Sequence, residues 1–237
     1  MSMPRSNMAK MSFWGKFIYV ITRWQTWITA RLLFRLSVEK GGNVPREGGL
    51  LVVSNHVSHL DPPLTGSFIP GRCGYHMPKM ELFKFAVLRI YMLSIGSILV
   101  NRGQGKQALL QAVQYLRDGM VVFIFPEGTR SRDGRLMEGK SGAVLIAIRS
   151  GCQILPSAII GSQHALTRGS VFVKPVKIII RYGEPYRIDY DGDVERVPRD
   201  VVQHEMARMM QKIEDLLPAE MRPDPADKER WYGLHAG

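Results

Sequence analysis

Apolar residues come in two rhythms along this chain. Short unbroken runs, Leu50-Leu51-Val52-Val53 and Val121-Val122-Phe123-Ile124, predict buried strands, as do residues 153–160 and 176–182. Weaker strand patterns fall at 75–78 and 97–100. Between them lie segments of helical period. Residues 104–117 bring Leu109, Ala112, Val113 and Leu116 to one face, and Gly119 ends the pattern. Residues 141–149 predict a helix closed by Gly151. Residues 199–217 predict another, with Val202, Met206, Met209, Met210 and Ile213 turned inward. These methionines read as adaptable core filler rather than as metal ligands. Residues 81–93 are apolar and helix-like. Asp61-Pro62-Pro63 predicts a helix start, with Asp as cap and Pro in the first turn. Alternating strands and helices predict an α/β fold: a central, mostly parallel or mixed sheet flanked by helices.

The two ends differ from the middle. Residues 11–37 read as helical, with a bend expected near Gln25-Thr26 that divides them into two helices. Trp14, Trp24 and Trp27 alternate there with Lys16, Arg23, Arg31 and Arg35. Tryptophan and basic residues on an apolar helix suit the headgroup boundary of a membrane. No run of about 18 uncharged apolar residues exists to predict a spanning helix, and Lys16 and Arg23 interrupt any signal-peptide pattern. Residues 218–237 are charged and Pro-rich, and predict a loose tail. The expected organisation is a membrane-associating helical segment at 1–37, a catalytic domain at 38–217 and a tail at 218–237.

At 237 residues and 45% hydrophobic content, the chain can bury one sizeable core. Its net charge of +11 predicts an anionic partner. Residues 1–47 hold eight Lys/Arg against two Asp/Glu, so the excess concentrates on the segment expected at the membrane. Nucleic acid fits poorly, because these cations interleave with an apolar helix rather than with a stacking surface. A membrane-associated protein on the cytoplasmic face is expected. Cys73 and Cys152 lie in or near apolar segments and read as reduced, buried thiols.

The chemistry gathers where two strands end. Asn55-His56-Val57-Ser58-His59-Leu60-Asp61 follows the first apolar run. His56 is the candidate general base, because imidazole titrates near neutral pH. Asp61 is the candidate that orients it, although a helix cap alone would also account for an Asp at that position. Asn55 and Ser58 are expected to hold the loop through side-chain bonds to backbone. His56, His59 and Asp61 also permit a metal-site reading, but no second His- or Cys-rich block supplies further ligands, so no metal is expected. Phe125-Pro126-Glu127-Gly128-Thr129-Arg130-Ser131 follows the second run. Glycine at 128 permits close backbone approach to a ligand. Guanidinium groups bind phosphate bidentately, which makes arginines here phosphate candidates.

Asn55, His56, Ser58 and Asp61 match NHxSxxD, and residues 125–131 match FPEGTRS, two motifs of the glycerolipid acyltransferases that acylate lysophosphatidic acid. The chain resembles that family over roughly residues 35–185. Ile98-Leu99-Val100-Asn101-Arg102 looks like its arginine block, with Asn101 where the family has Asp. Ile154-Leu155-Pro156 looks like its proline-containing block. The resemblance implies acyl transfer from acyl-CoA or acyl carrier protein to the free hydroxyl of a lysophospholipid, 1-acylglycerol 3-phosphate first among them. It implies His56 as base, Asp61 as its orienting partner, and Arg102 and Arg130 on the acceptor's phosphate. Glu127 is expected to meet acceptor hydroxyls or to brace the arginines. Backbone amides around Gly128 and Thr129 are candidates for the developing oxyanion. Arg132, Arg135 and Lys140 read equally as a basic rim or as an exposed loop. No cofactor is implied beyond the acyl donor, which is itself a substrate. The competing readings are acylation of another amphiphile, a metal-dependent hydrolase, and a non-catalytic membrane-binding protein.

Overall fold

A computed structural model describes residues 13–72, 74–76, 105–166 and 172–232. Its helices are α1 Phe13–Phe34, α2 Asp61–Phe68, α3 Gly105–Arg117, α4 Gly142–Ser150, α5 Ser162–Ala165, α6 Arg199–Glu214 and α7 Pro225–Tyr232. Its strands are β1 Ser37–Glu39, β2 Leu50–Ser54, β3 Gly74–His76, β4 Val121–Ile124, β5 Gln153–Ile160 and β6 Ile179–Tyr182. They form one sheet in the order β1-β6-β5-β2-β4-β3. All neighbours run parallel except β5 and β6, which are antiparallel. The sheet is therefore mixed, within the range the pattern allowed. The patterns expected at 81–93 and 97–100, together with Cys73 and Arg102, lie outside the described residues.

The unbroken apolar runs have a direct cause. β2 sits between β4 and β5, and all five of its residues are buried. A strand covered on both faces cannot alternate apolar with polar. Leu51, Val53, Val122 and Ile154 face one layer, with α3, α4 and α6. Leu50, Val52, Val121, Phe123 and Leu155 face the other, with α1 and α2. This three-layer arrangement leaves the C-terminal ends of the parallel strands as the place where loops converge, the usual seat of a site in such sheets.

Two expectations change, and one strand is added. Residues 13–34 form one uninterrupted helix, not two. No Pro, Gly or other kink-forming residue stands near Gln25-Thr26, and the helix ends where Arg35 turns to a positive φ of 43°. One stripe of α1, Phe17, Ile21, Trp24, Ile28 and Leu32, faces solvent, with Leu32 80% exposed. The opposite face buries Ala30 and Phe34, and Arg23 donates to the carbonyls of Ile69 and Arg72. Among the described residues no helix is long and apolar enough to cross a membrane. The predicted tail also carries structure in its described part, 218–232: Ala219–Met221 is a 3-10 turn and α7 follows. Lys228 on α7 bonds Gln211 and Glu214 of α6, and the Tyr232 hydroxyl accepts the Gly139 N–H at 2.9 Å. Finally, β1 emerges from a three-residue stretch with no apolar run. It pairs with β6, and Glu39 accepts from Arg181 at 2.6 Å.

Candidate active site

β2 delivers the chain into the site at Asn55. Its amide clamps the neighbouring strand twice: Nδ2 donates to the Ile159 carbonyl at 3.0 Å, and Oδ1 accepts the Ile159 N–H at 2.8 Å. The expected backbone-holding role of Asn55 is thus filled across strands, 104 residues away in sequence. The Ser58 hydroxyl accepts the Leu60 N–H within the loop.

The His56 side chain is 17% exposed, and its Nδ1 lies 2.9 Å from Asp61 Oδ2. That same oxygen accepts the N–H groups of Val57 and Ser58, each at 2.7 Å, and Oδ1 accepts the Ser162 hydroxyl at 2.6 Å. A carboxylate ringed by donors acts as acceptor toward the ring. Nδ1 therefore carries the proton, and Nε2 is left as the basic nitrogen. Asp61 is fully buried. It does not cap its helix by side chain; it is the first residue of α2, Leu60 occupies the cap position, and the carboxylate turns back to the preceding loop. The cap expected from Asp-Pro-Pro is thus replaced by a bracket for the histidine loop.

The second motif holds His56 from the other side. Phe125 stacks on the imidazole, with ring centres 4.2 Å apart and planes 17° apart. Glu127 Oε1 accepts the His56 N–H at 2.6 Å, and the Ser131 N–H donates to the His56 carbonyl at 2.8 Å. Both backbone polar groups of the histidine are therefore fixed by residues 125–131. Glu127 Oε2 accepts the Met137 N–H at 3.1 Å. Each oxygen of this buried carboxyl thus meets a backbone amide, where the sequence had suggested acceptor hydroxyls or arginines. Burial pushes the Glu127 pKa up to about 8, against the downward pull of the two amide donors.

Gly128 adopts φ 71°, and a Cβ there would meet the Lys140 side chain at 2.9 Å. Its N–H donates to the Phe125 carbonyl at 3.0 Å. That amide closes the turn, so of the two proposed oxyanion donors Gly128 is already engaged. Lys140 is tied in as well, its N–H donating to Pro126.

A cavity of about 600 Å³ opens next to the histidine loop. Thr129, Arg130, Arg132 and Arg135 line it together with Val57 of the histidine loop and Asp227 and Trp231 of α7, whereas His56 and Asp61 are not among its lining residues. Arg130 also reaches the histidine loop electrostatically. The His59 pKa is held below 6.5 by burial first, then by the charges of Arg130 and His56, with Asp61 opposing. Arg135 bonds Asp224 and the Arg222 carbonyl, which fastens the rim to the segment before α7. Among the described residues no group of three or more His, Cys, Asp or Glu is arranged to hold a metal.

The structure thus brings His56, Asp61, Glu127, Gly128, Thr129 and Arg130 into one neighbourhood. It adds three contributors the sequence reading did not single out: Phe125 against the ring, Ser162 on Asp61, and Trp231 on the cavity wall. Phe125 lay inside a recognised motif, whereas Ser162 and Trp231 carried no local signal.

Comparison with known proteins agrees with this geometry. The acyltransferase family model matches residues 35–160, more than half of the chain, and the chain belongs to that family. It is 26% identical over 151 residues to a 1-acyl-sn-glycerol-3-phosphate acyltransferase of Borreliella burgdorferi, covering 62% of this chain and 59% of that protein. It is 30% identical over 170 residues to the enzyme of that name from Limnanthes alba, covering 70% of this chain and 59% of the relative. The match thus spans about three fifths of those relatives' own length. Among solved structures, the 1-acyl-sn-glycerophosphate acyltransferase PlsC of Thermotoga maritima superposes with a TM-score of 0.63 at 25% identity, covering 84% of this chain and 82% of that one.

Proposed function

We propose that this chain transfers a fatty acyl group from acyl-CoA or acyl carrier protein to the free hydroxyl of 1-acyl-sn-glycerol 3-phosphate, giving phosphatidic acid. The observation that carries this reading is the His56–Asp61 pair on a loop whose Val57 lines a cavity shared with Arg130, Arg132 and Arg135. His56 Nε2 takes the hydroxyl proton as the oxygen attacks the thioester carbonyl. The tetrahedral intermediate collapses, the C–S bond breaks, and the imidazolium returns its proton to the leaving thiolate. No acyl-enzyme is required. Arg130 grips the acceptor's phosphate, Arg102 joins it, and Thr129 lines the same cavity. Gly128 keeps the turn tight enough for a ligand to approach. Glu127 acts by holding the His56 backbone in place. The names of the relatives support the choice of acceptor.

Membrane association follows from the same chemistry, since acceptor and product are both lipids. The exposed stripe of α1 supports it. So do Phe172, 79% exposed, and Val173, which precede the exposed cations Lys174 and Lys177.

The test uses purified protein with labelled acyl-CoA, acyl carrier protein and a panel of lysolipids, with products identified by mass spectrometry. His56→Ala is expected to lose transfer by about 10²–10⁴-fold while keeping its circular dichroism spectrum and its binding to liposomes. Undiminished transfer in that variant refutes the reading. Activity abolished by chelator, together with stoichiometric bound metal, would instead establish the hydrolase alternative.

A further inference from the structure

We infer that Ser162 is a positioning residue of the acyl-transfer site, the third member of a His56–Asp61–Ser162 chain. The inference rests on the base role proposed for His56. Ser162 stands beyond residues 35–160, the stretch matched to the family, and 101 residues from its partner.

The fold builds this contact on purpose-shaped backbone. Asn55 locks the end of β2 to Ile159 with two hydrogen bonds, which fixes where β5 stops. Two residues later Gly161 turns at φ 93°, where a Cβ would lie 2.3 Å from the Lys177 carbonyl oxygen. Only glycine makes this turn without displacing the 177–178 backbone. The turn sends Ser162 inward rather than along the strand. Ser162 and Asp61 are both fully buried, and the hydroxyl meets Oδ1 at 2.6 Å.

The geometry gives the hydroxyl a distinct task. Oδ2 already serves His56 and two loop amides. Among the described residues only Ser162 engages Oδ1, and it does so from a different element. Without it the carboxylate is held along one edge and can rotate about its Cβ–Cγ bond. Rotation would carry Oδ2 away from Nδ1 and release the ring from its tautomer. The other titratable and charged groups near this pair, Glu127, His59 and Arg130, are common to both proteins, so the comparison isolates Ser162.

The experiment measures acyl transfer as a function of pH for the full chain and for Ser162→Ala, with urea unfolding to confirm that both are folded at the assay temperature. The expected result is a fall in kcat on the order of tenfold, the scale of losing one charge-assisted hydrogen bond. Both KM values should stay within about twofold, because Ser162 does not line the cavity. The acid limb of the kcat profile should move to lower pH, because a carboxylate turned away from Nδ1 stabilises the imidazolium less. Ser162→Cys, close in size and a weaker donor, should move both readouts in the same direction by less. Unchanged kcat, or a lower kcat with the acid limb in place, overturns the inference. If His56→Ala retains full transfer, the base reading itself fails. A dead His56→Ala beside a fully active Ser162→Ala removes only Ser162 from the chain.

Discussion

Glu127 offers the sharpest test of the site's electrostatics. Its carboxyl is 2% exposed and rises from an ordinary 4.5 to about 8. Burial disfavours the charged form, and the amides of His56 and Met137 only partly offset this. The unfolded chain ionises near 4.5, whereas the folded chain resists ionising until about 8. The stabilising contribution is thus complete below 4.5 and is lost progressively as pH rises toward 8. At about 1.4 kcal/mol per pH unit, that interval sets a ceiling of about 5 kcal/mol, and relaxation of the site will reduce it. Glu127→Gln does not titrate. It also offers one acceptor oxygen to two amides, so it leaves one buried N–H facing an NH2 group, at a cost of about 1–3 kcal/mol. Wild type should therefore be clearly more stable than the variant near pH 5, with the gap narrowing or reversing by pH 8. Urea unfolding followed by tryptophan fluorescence at half-unit pH steps measures the difference. A stability gap that is flat from pH 5 to 8 would falsify the assignment of a buried, raised carboxyl at this position.

Three further outcomes follow from other contacts. Gly128→Ala forces a side chain into a left-handed backbone and against Lys140; a loss of about 1–2 kcal/mol and weaker acyl transfer are expected from thermal melts and turnover assays. Arg72 is buried and donates to the carbonyls of Pro45, Glu47, Gly48 and Gly119. Arg72→Met should therefore cost at least about 3 kcal/mol in chemical denaturation, and a loss below 1 would contradict those bonds. The Tyr182 hydroxyl is buried without a hydrogen-bond partner among the described residues; Tyr182→Phe should be neutral or should stabilise by about 1 kcal/mol, read as an equal or higher melting temperature.

The sequence disclosed what local chemistry determines. Runs such as Val121-Val122-Phe123-Ile124 announce a covered strand because burial on both faces leaves no polar position. Gly151 marks a helix end because its φ of 62° suits glycine. The two motifs were legible because their residues sit on two adjacent loops. Contacts made across the sheet were not. The Asn55–Ile159 clamp and the Ser162–Asp61 bond each span about a hundred residues, and nothing within a short window encodes them. Asp61 before Pro-Pro imitates a cap until the loop amides claim its carboxylate. α7 was missed for a similar reason: its composition is charged and Pro-flanked, and its order comes from Tyr232 and Lys228 docking on distant partners.

The pairing of β1 with β6 constrains how this protein is made. Residues 37–39 wait for residues 179–181 before they can join the sheet. At about 5–20 residues per second of synthesis, that delay lasts roughly seven to thirty seconds. During it, the amphipathic α1 has left the ribosome while the strand just after it still lacks its neighbour. A lipid surface or a chaperone that shelters the exposed Phe17–Leu32 stripe in this interval should raise the yield of folded chain, and shortening the interval by circular permutation should lessen that need.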